Sequence, residues 1–214
     1  MFANPTTLQS GFARSRSEAL FPRLFPELGW WCPSLNPPGG TRLHDYSGRV
    51  NWGTLTLMDP PTDWVASSGR GALDFDGSND YVTTARAIPS FSQLTISSWT
   101  NQRTQTGNPN WVSCGQSLSQ RYFECVQSNT SQWSLFLLNG TASNYKAWSF
   151  ARPTVDTWSH VVATWDGTDT TTAVKFFVNG RSSTATYIGG AGSLPTSISG
   201  DLVKIGASVT NTGS

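Results

Sequence analysis

From Gly29 onward, apolar and polar residues alternate in short runs, each closed by turn-forming residues. In Leu94-Thr95-Ile96-Ser97-Ser98-Trp99, Leu94, Ile96 and Ser98 share one face, while Thr95, Ser97 and Trp99 share the other. That is the two-residue period of a β-strand. In Val174-Lys175-Phe176-Phe177-Val178 the core side takes Val174, Phe176 and Val178, which leaves Phe177 on the outer or concave face. The same pattern predicts strands at Trp30–Cys32, Thr54–Met58, Ala72–Phe75, Asp80–Thr83, Leu94–Thr100 and Trp111–Cys114. It continues with Tyr122–Gln127, Trp133–Leu138, Trp148–Ala151, Ser159–Trp165, Val174–Val178 and Val203–Gly206. Between them stand Pro-Pro-Gly-Gly at 37–40, Asp76-Gly77, Asn139-Gly140, Asp166-Gly167 and Asn179-Gly180. Asn-Gly and Asp-Gly supply the positive φ that tight hairpins demand. No segment after Gly29 sustains a helical period. Closely spaced short strands with such turns predict an all-β sandwich or barrel.

Residues 1–28 break the pattern. Arg14, Arg16 and Arg23 stand beside Glu18 and Glu27, and Phe21, Leu24, Phe25 and Leu28 are interrupted by Pro22 and Pro26. Prolines at that spacing prevent a long helix. The segment reads as an extended N-terminal arm with a few apolar anchors, open to two readings: a disordered terminus or a docking element.

Composition narrows the function classes. Charged residues make up 13% of the 214, against roughly 25% in an average soluble domain. Ser and Thr replace them, at about a quarter of the chain, and hydroxyls mixed with β-branched and aromatic residues suit antiparallel sheet surfaces. A net charge of +1 gives no field for a polyanion, so nucleic acid is not an expected partner. No stretch approaches 18 apolar residues, so no membrane insertion is expected. The first residues carry neither a basic region nor an apolar one, so no export signal is read. The three cysteines, Cys32, Cys114 and Cys125, form no C-x-x-C and suit a reduced interior better than a disulfide framework.

Several of these segments resemble one family. Ala72-Leu73-Asp74-Phe75-Asp76-Gly77-Ser78-Asn79-Asp80-Tyr81-Val82 resembles the opening hairpin of laminin-G-like jelly rolls in the concanavalin A-like lectin/glucanase superfamily. Leu94–Trp99, Trp158–Gly167 and Val174–Gly180 resemble later strands and hairpins of those modules, in the same order. Upstream, Leu43–Leu55 is similar to their D-x-S-G-x-x-N-x-G loop. Together the motifs cover residues 30–206. The resemblance implies a two-sheet antiparallel jelly-roll sandwich with a concave face, assigned to residues 29–214 behind the arm at 1–28. In such modules Ile205-Gly206 would be followed by a further strand, and no such segment is read here. An open sheet edge beside Val203–Gly206 is therefore expected.

Three kinds of chemistry are considered. Retaining glucanases need two carboxylates about 5–5.5 Å apart. Glu18, Glu27 and Glu124 have no acid at strand spacing, and Asp74/Asp76 abut a turn glycine, so no catalytic residue is assigned. His160 reads as a packed, hydrogen-bonded histidine. For metals, Asp74, Asp76, Asn79 and Asp80 offer the hard oxygen ligands that calcium takes, against the plainer reading of a turn-forming Asp-Gly. No other cofactor is expected. For ligands, Trp111, Trp133, Trp148 and Tyr145, with Asn110 and Asn144, offer the ring faces and amides of a sugar site on the concave sheet. Core packing is the competing reading for the three tryptophans. Trp30, Trp99 and Trp158 are assigned to the core.

The resulting expectation is a non-catalytic module for attachment or assembly on a bacteriophage virion surface, as a decoration, fibre or tail protein. It would be assembled in the host cytoplasm from reduced chains. Its expected partners are other virion subunits or copies of itself, with a cell-surface glycan as ligand. An exported bacterial carbohydrate-binding module is the alternative, and a glucanase is weaker because the paired carboxylates are not seen.

Overall fold

A computed structural model of the chain describes residues 40–67, 70–103, 109–117, 119–140, 144–194 and 197–208. The arm, Trp30 and Cys32 lie outside the described residues. The chain divides into two compact units, Met1–Arg86 and Ala87–Ser214.

In the first unit, β1 (Arg42–Leu43) pairs antiparallel with β2 (Gly53–Thr56). A single helical turn, α1 (Pro60–Asp63), leads into the hairpin of β3 (Trp64–Ser67) and β4 (Arg70–Leu73). β5 (Tyr81–Thr84) then pairs antiparallel with β2, and Val82 and Leu55 are buried. The loop between β1 and β2 is held by one carboxylate. Asp45 accepts hydrogen bonds from Ser47 N (2.8 Å), Ser47 Oγ (2.7 Å) and Asn51 N (2.9 Å). Buried Asn51 then exchanges two bonds with the main chain of Arg86, Nδ2 to O at 2.9 Å and N to Oδ1 at 2.7 Å. These bonds give the Asp45, Ser47 and Asn51 of the upstream motif a structural role.

The second unit is a sandwich. Within this unit the strands of one sheet follow the order β15-β7-β8-β9-β10-β14. Its strands are β7 (Asn110–Ser117), β8 (Gln120–Asn129), β9 (Gln132–Gly140), β10 (Tyr145–Ala151), β14 (Thr186–Gly189) and β15 (Val203–Ile205). The other sheet has the order β13-β12-β11-β6, built from β6 (Leu94–Thr100), β11 (Ser159–Trp165), β12 (Val174–Val178) and β13 (Arg181–Ser183). All pairings are antiparallel.

The alternation anticipated from sequence sets the core. Val174 and Phe176 are buried and Val178 packs against them, while β11 contributes Val161, Ala163 and Trp165. From the larger sheet, Phe123, Cys125, Trp133, Leu135, Leu137, Trp148 and Phe150 join the same cluster. Phe150 of β10 stacks on Phe176 of β12, with centroids 4.1 Å apart and planes 20° apart, so the two sheets meet through aromatic faces. Cys114 and Cys125 are free thiols on the core side of neighbouring strands. They are not directly opposed, since Cys114 faces Phe123 and Cys125 faces Val112. Val203–Ile205 pairs with β7, with Val203 opposite Cys114.

Candidate functional site

The six residues expected to form a sugar site do not converge. Trp133 and Trp148 are 5% and 0% exposed and belong to the core. Their indole N–H groups are spent inside the protein, on Gln102 Oε1 (2.8 Å) and on the carbonyl of Thr171 (2.8 Å). Trp111 is half-buried with its ring 5.4 Å from that of Trp133. Trp133 meets Phe150 edge-on at 6.0 Å. Trp133 and Trp148 fill the space between the sheets, where large aromatics bury the most area, and their faces are not available to a ligand, while Trp111 packs against this cluster half-buried.

Register separates the rest. Asn110 lies opposite Val126, which leads across Ser134 to Ser149 on β10. Tyr145 is four residues away on that strand, about 13 Å along it. Tyr145 is half-buried against Phe136, centroids 5.5 Å apart. The carbonyl of Asn144 accepts from Asn139 N at 3.0 Å, and the buried Oδ1 of Asn110 has no hydrogen-bond partner among the described residues.

The Asp74–Asp80 segment is a turn held by its own carboxylates. Asp76 Oδ1 accepts from the N–H groups of Ser78 (2.7 Å), Asn79 (3.2 Å) and Asp80 (3.4 Å). Asp80 Oδ2 accepts from Asp76 N at 3.0 Å. The Ser78 bond holds the Asp76 carboxyl below its ordinary value, and burial pushes that of Asp80 up. Asp74 N donates to Asp63 O at 2.8 Å, and Asn79 is exposed. Among the described residues no three His, Cys, Asp or Glu side chains group closely enough to hold a metal ion.

The surface that does gather recognition chemistry lies on the smaller sheet. Trp99, expected in the core, is 62% exposed. The alternation of β6 explains it, because Trp99 shares its face with Thr95 and Ser97, the polar side of the strand. Register places His160 of β11 opposite Trp99, with ring centroids 5.3 Å apart and planes tilted by 35°. Ser97 Oγ and His160 Nε2 are hydrogen-bonded at 2.9 Å. The backbone of His160 is fixed by the Asn179-Gly180 turn: His160 N donates to Asn179 Oδ1 (2.9 Å) and Asn179 N donates to His160 O (2.8 Å). Asn179 and Gly180 hold φ of 51° and 77°, the left-handed pair of a tight hairpin. Val162 and Phe177, paired in register, continue the face inward, with Phe177 on the outer side as expected. The result is an exposed indole flanked by an imidazole and a hydroxyl, on a rigid sheet. Sequence pattern alone could have flagged Trp99 by its polar companions; the pairing with His160 depends on a register set 61 residues later.

No curated protein matches this chain. Among solved structures it is similar to a native heptameric SAP-like pentraxin from Limulus polyphemus, at 22% identity and TM-score 0.43. That match covers 59% of this chain and spans 57% of the pentraxin chain. It is also similar to the carbohydrate-binding module CBM66 from Bacillus subtilis, at 14% identity and TM-score 0.36, covering 66% of this chain and 86% of that one. The family model of the concanavalin A-like lectin/glucanases superfamily matches residues 76–214, more than half of the sequence and the whole run of strands from β5 onward, and the chain belongs to that superfamily.

Proposed function

We propose that the chain is a non-catalytic attachment module, carried on a bacteriophage virion surface, that holds a cell-surface glycan against the solvent face of its four-stranded sheet. The exposed indole of Trp99 carries this reading. A sugar ring presents an apolar C–H face that stacks on an aromatic plane, and its hydroxyls seek hydrogen-bonding groups beside that plane. Ser97 Oγ and the His160 ring stand at that place. The superfamily is named for lectins and glucanases, and the carboxylate chemistry of this chain supports the former. Glu124 is 4% exposed, ion-paired with Arg121 and bonded to Ser208 Oγ at 3.0 Å, so its carboxylate serves packing. Buried thiols at Cys114 and Cys125 suit assembly in a reducing host cytoplasm.

The test is adsorption of labelled chain to intact bacterial cells, with and without prior removal of surface polysaccharide. Trp99→Ala should weaken adsorption on the order of tenfold or more, and stripping the polysaccharide should abolish it. Adsorption indifferent to Trp99→Ala would reject this face. Mass spectrometry of purified phage particles should detect the chain as a structural component; its absence would reject the virion assignment.

A further inference from the structure

The four-stranded sheet stops at β6, and the hydrogen bonds around His160 show which way that strand's backbone points. Asn179 N donates to His160 O, so the main chain of His160 faces β12. Direction alternates along a strand, so Ser159, Val161, Ala163 and Trp165 direct their main-chain groups toward β6. There they meet Thr100, Ser98, Ile96 and Leu94. The N–H and C=O groups of Thr95, Ser97 and Trp99 therefore point away from β11. Among the described residues no strand pairs with that edge, and all three residues are exposed. The core is also thin there: Leu94 and Ile96 are half-buried, while their register partners Trp165 and Ala163 are 2% and 1% exposed. Native edge strands are protected by charge, proline or a bulge. Leu94–Thr100 carries no charged residue and no proline, and its pairing with β11 has no register shift.

We propose that β6 pairs antiparallel with β6 of a second copy, about a twofold axis at Ser97. The strand is self-complementary in that register. Ser97 meets Ser97, Thr95 meets Trp99 and Ile96 meets Ser98, and the outward main-chain groups form about six hydrogen bonds. No ionisable side chain in the strand meets its own copy across the axis. The sheet becomes continuous through the dimer, the half-open core at Leu94 and Ile96 is covered, and the two Trp99 rings share one surface, about 13 Å apart along the strands. This goes beyond the attachment reading and stands without it.

Sedimentation equilibrium of the full chain at micromolar concentration tests the interface. The expected mass is twice 23.2 kDa. Ser97→Lys sets two ammonium groups against each other at the axis, and Ser97→Pro deletes an outward N–H; both should return the chain to a monomer. Ser182→Lys, on the far strand β13, should leave the dimer intact. Circular dichroism establishes that each variant is folded, and if Ser97→Pro fails to fold, Ser97→Lys carries the test. A wild-type monomer overturns the proposal. So does an oligomer that survives folded Ser97→Lys, which would place the contact elsewhere, such as the arm at residues 1–28.

Discussion

A β-branched residue at positive φ is strained, and Val50 holds φ 54° in the loop that Asp45 organises, with 56% of its surface exposed. Val50→Gly should relieve that strain and raise stability by about 1 kcal/mol, net of the flexibility glycine adds to the unfolded chain. Chemical denaturation measures it, and a loss of stability would mean that the side chain contributes packing. The aspartates divide by their surroundings in the same way. Asp76 is lowered first by its Ser78 backbone bond and Asp166 first by the Thr168 hydroxyl, whereas Asp80 is raised by burial. For Asp76 and Asp166 the folded value lies below the unfolded one. Their stabilising contribution is complete above the ordinary 3.8 and is lost as pH falls through the depressed values. Asp80 has the opposite sign: its charge opposes folding above its raised value, and acid relieves that penalty. Carboxyl titration by NMR should place Asp76 and Asp166 below 3.8 and Asp80 above it. The reverse order would mean that these turn hydrogen bonds do not form in solution.

At the scale of elements, the Asp76-Gly77 turn depends on a glycine at φ 78°. Gly77→Val should cost on the order of 1–3 kcal/mol, read as a lowered melting temperature; an unchanged one would show that the turn tolerates a side chain there. The strands β6, β11 and β12 have the bounds that alternation predicts, because every second residue of each is directed to the core, with Trp99, Val162 and Phe177 the apolar residues on the outer face. β7, β8 and β9 run past their apolar segments, since polar residues such as Asn110, Gln120 and Asn129 are recruited by main-chain pairing. β13, Arg181-Ser182-Ser183, has no apolar residue to reveal it and exists by pairing with β12. The two readings left open for Trp133 have a similar cause. β9 is apolar on both faces, Trp133, Leu135 and Leu137 against Phe136 and Leu138, so its pattern does not say which face is inside. On β6 the pattern did say, and Trp99 follows its hydroxyl neighbours out to solvent.

For the whole molecule, the buried thiols and the exposed indole belong to one account: covalent inertness within, recognition without. Burial pushes the Cys114 thiol up to about 12 and raises Cys125 as well. Both should resist thiol reagents at neutral pH in the native state, and three thiols should react once the unreduced chain is unfolded. Fewer than three in denaturant would reveal a disulfide. The recognition half is tested most directly by the indole N–H resonances, recorded while surface polysaccharide from a cell that binds the chain is added. The Trp99 resonance should shift in a saturable way, with those of Trp133 and Trp148 left in place because their N–H groups are held by Gln102 and Thr171. Shifts at Trp133 or Trp148 with Trp99 unmoved would contradict the account and return the ligand to the face of the larger sheet.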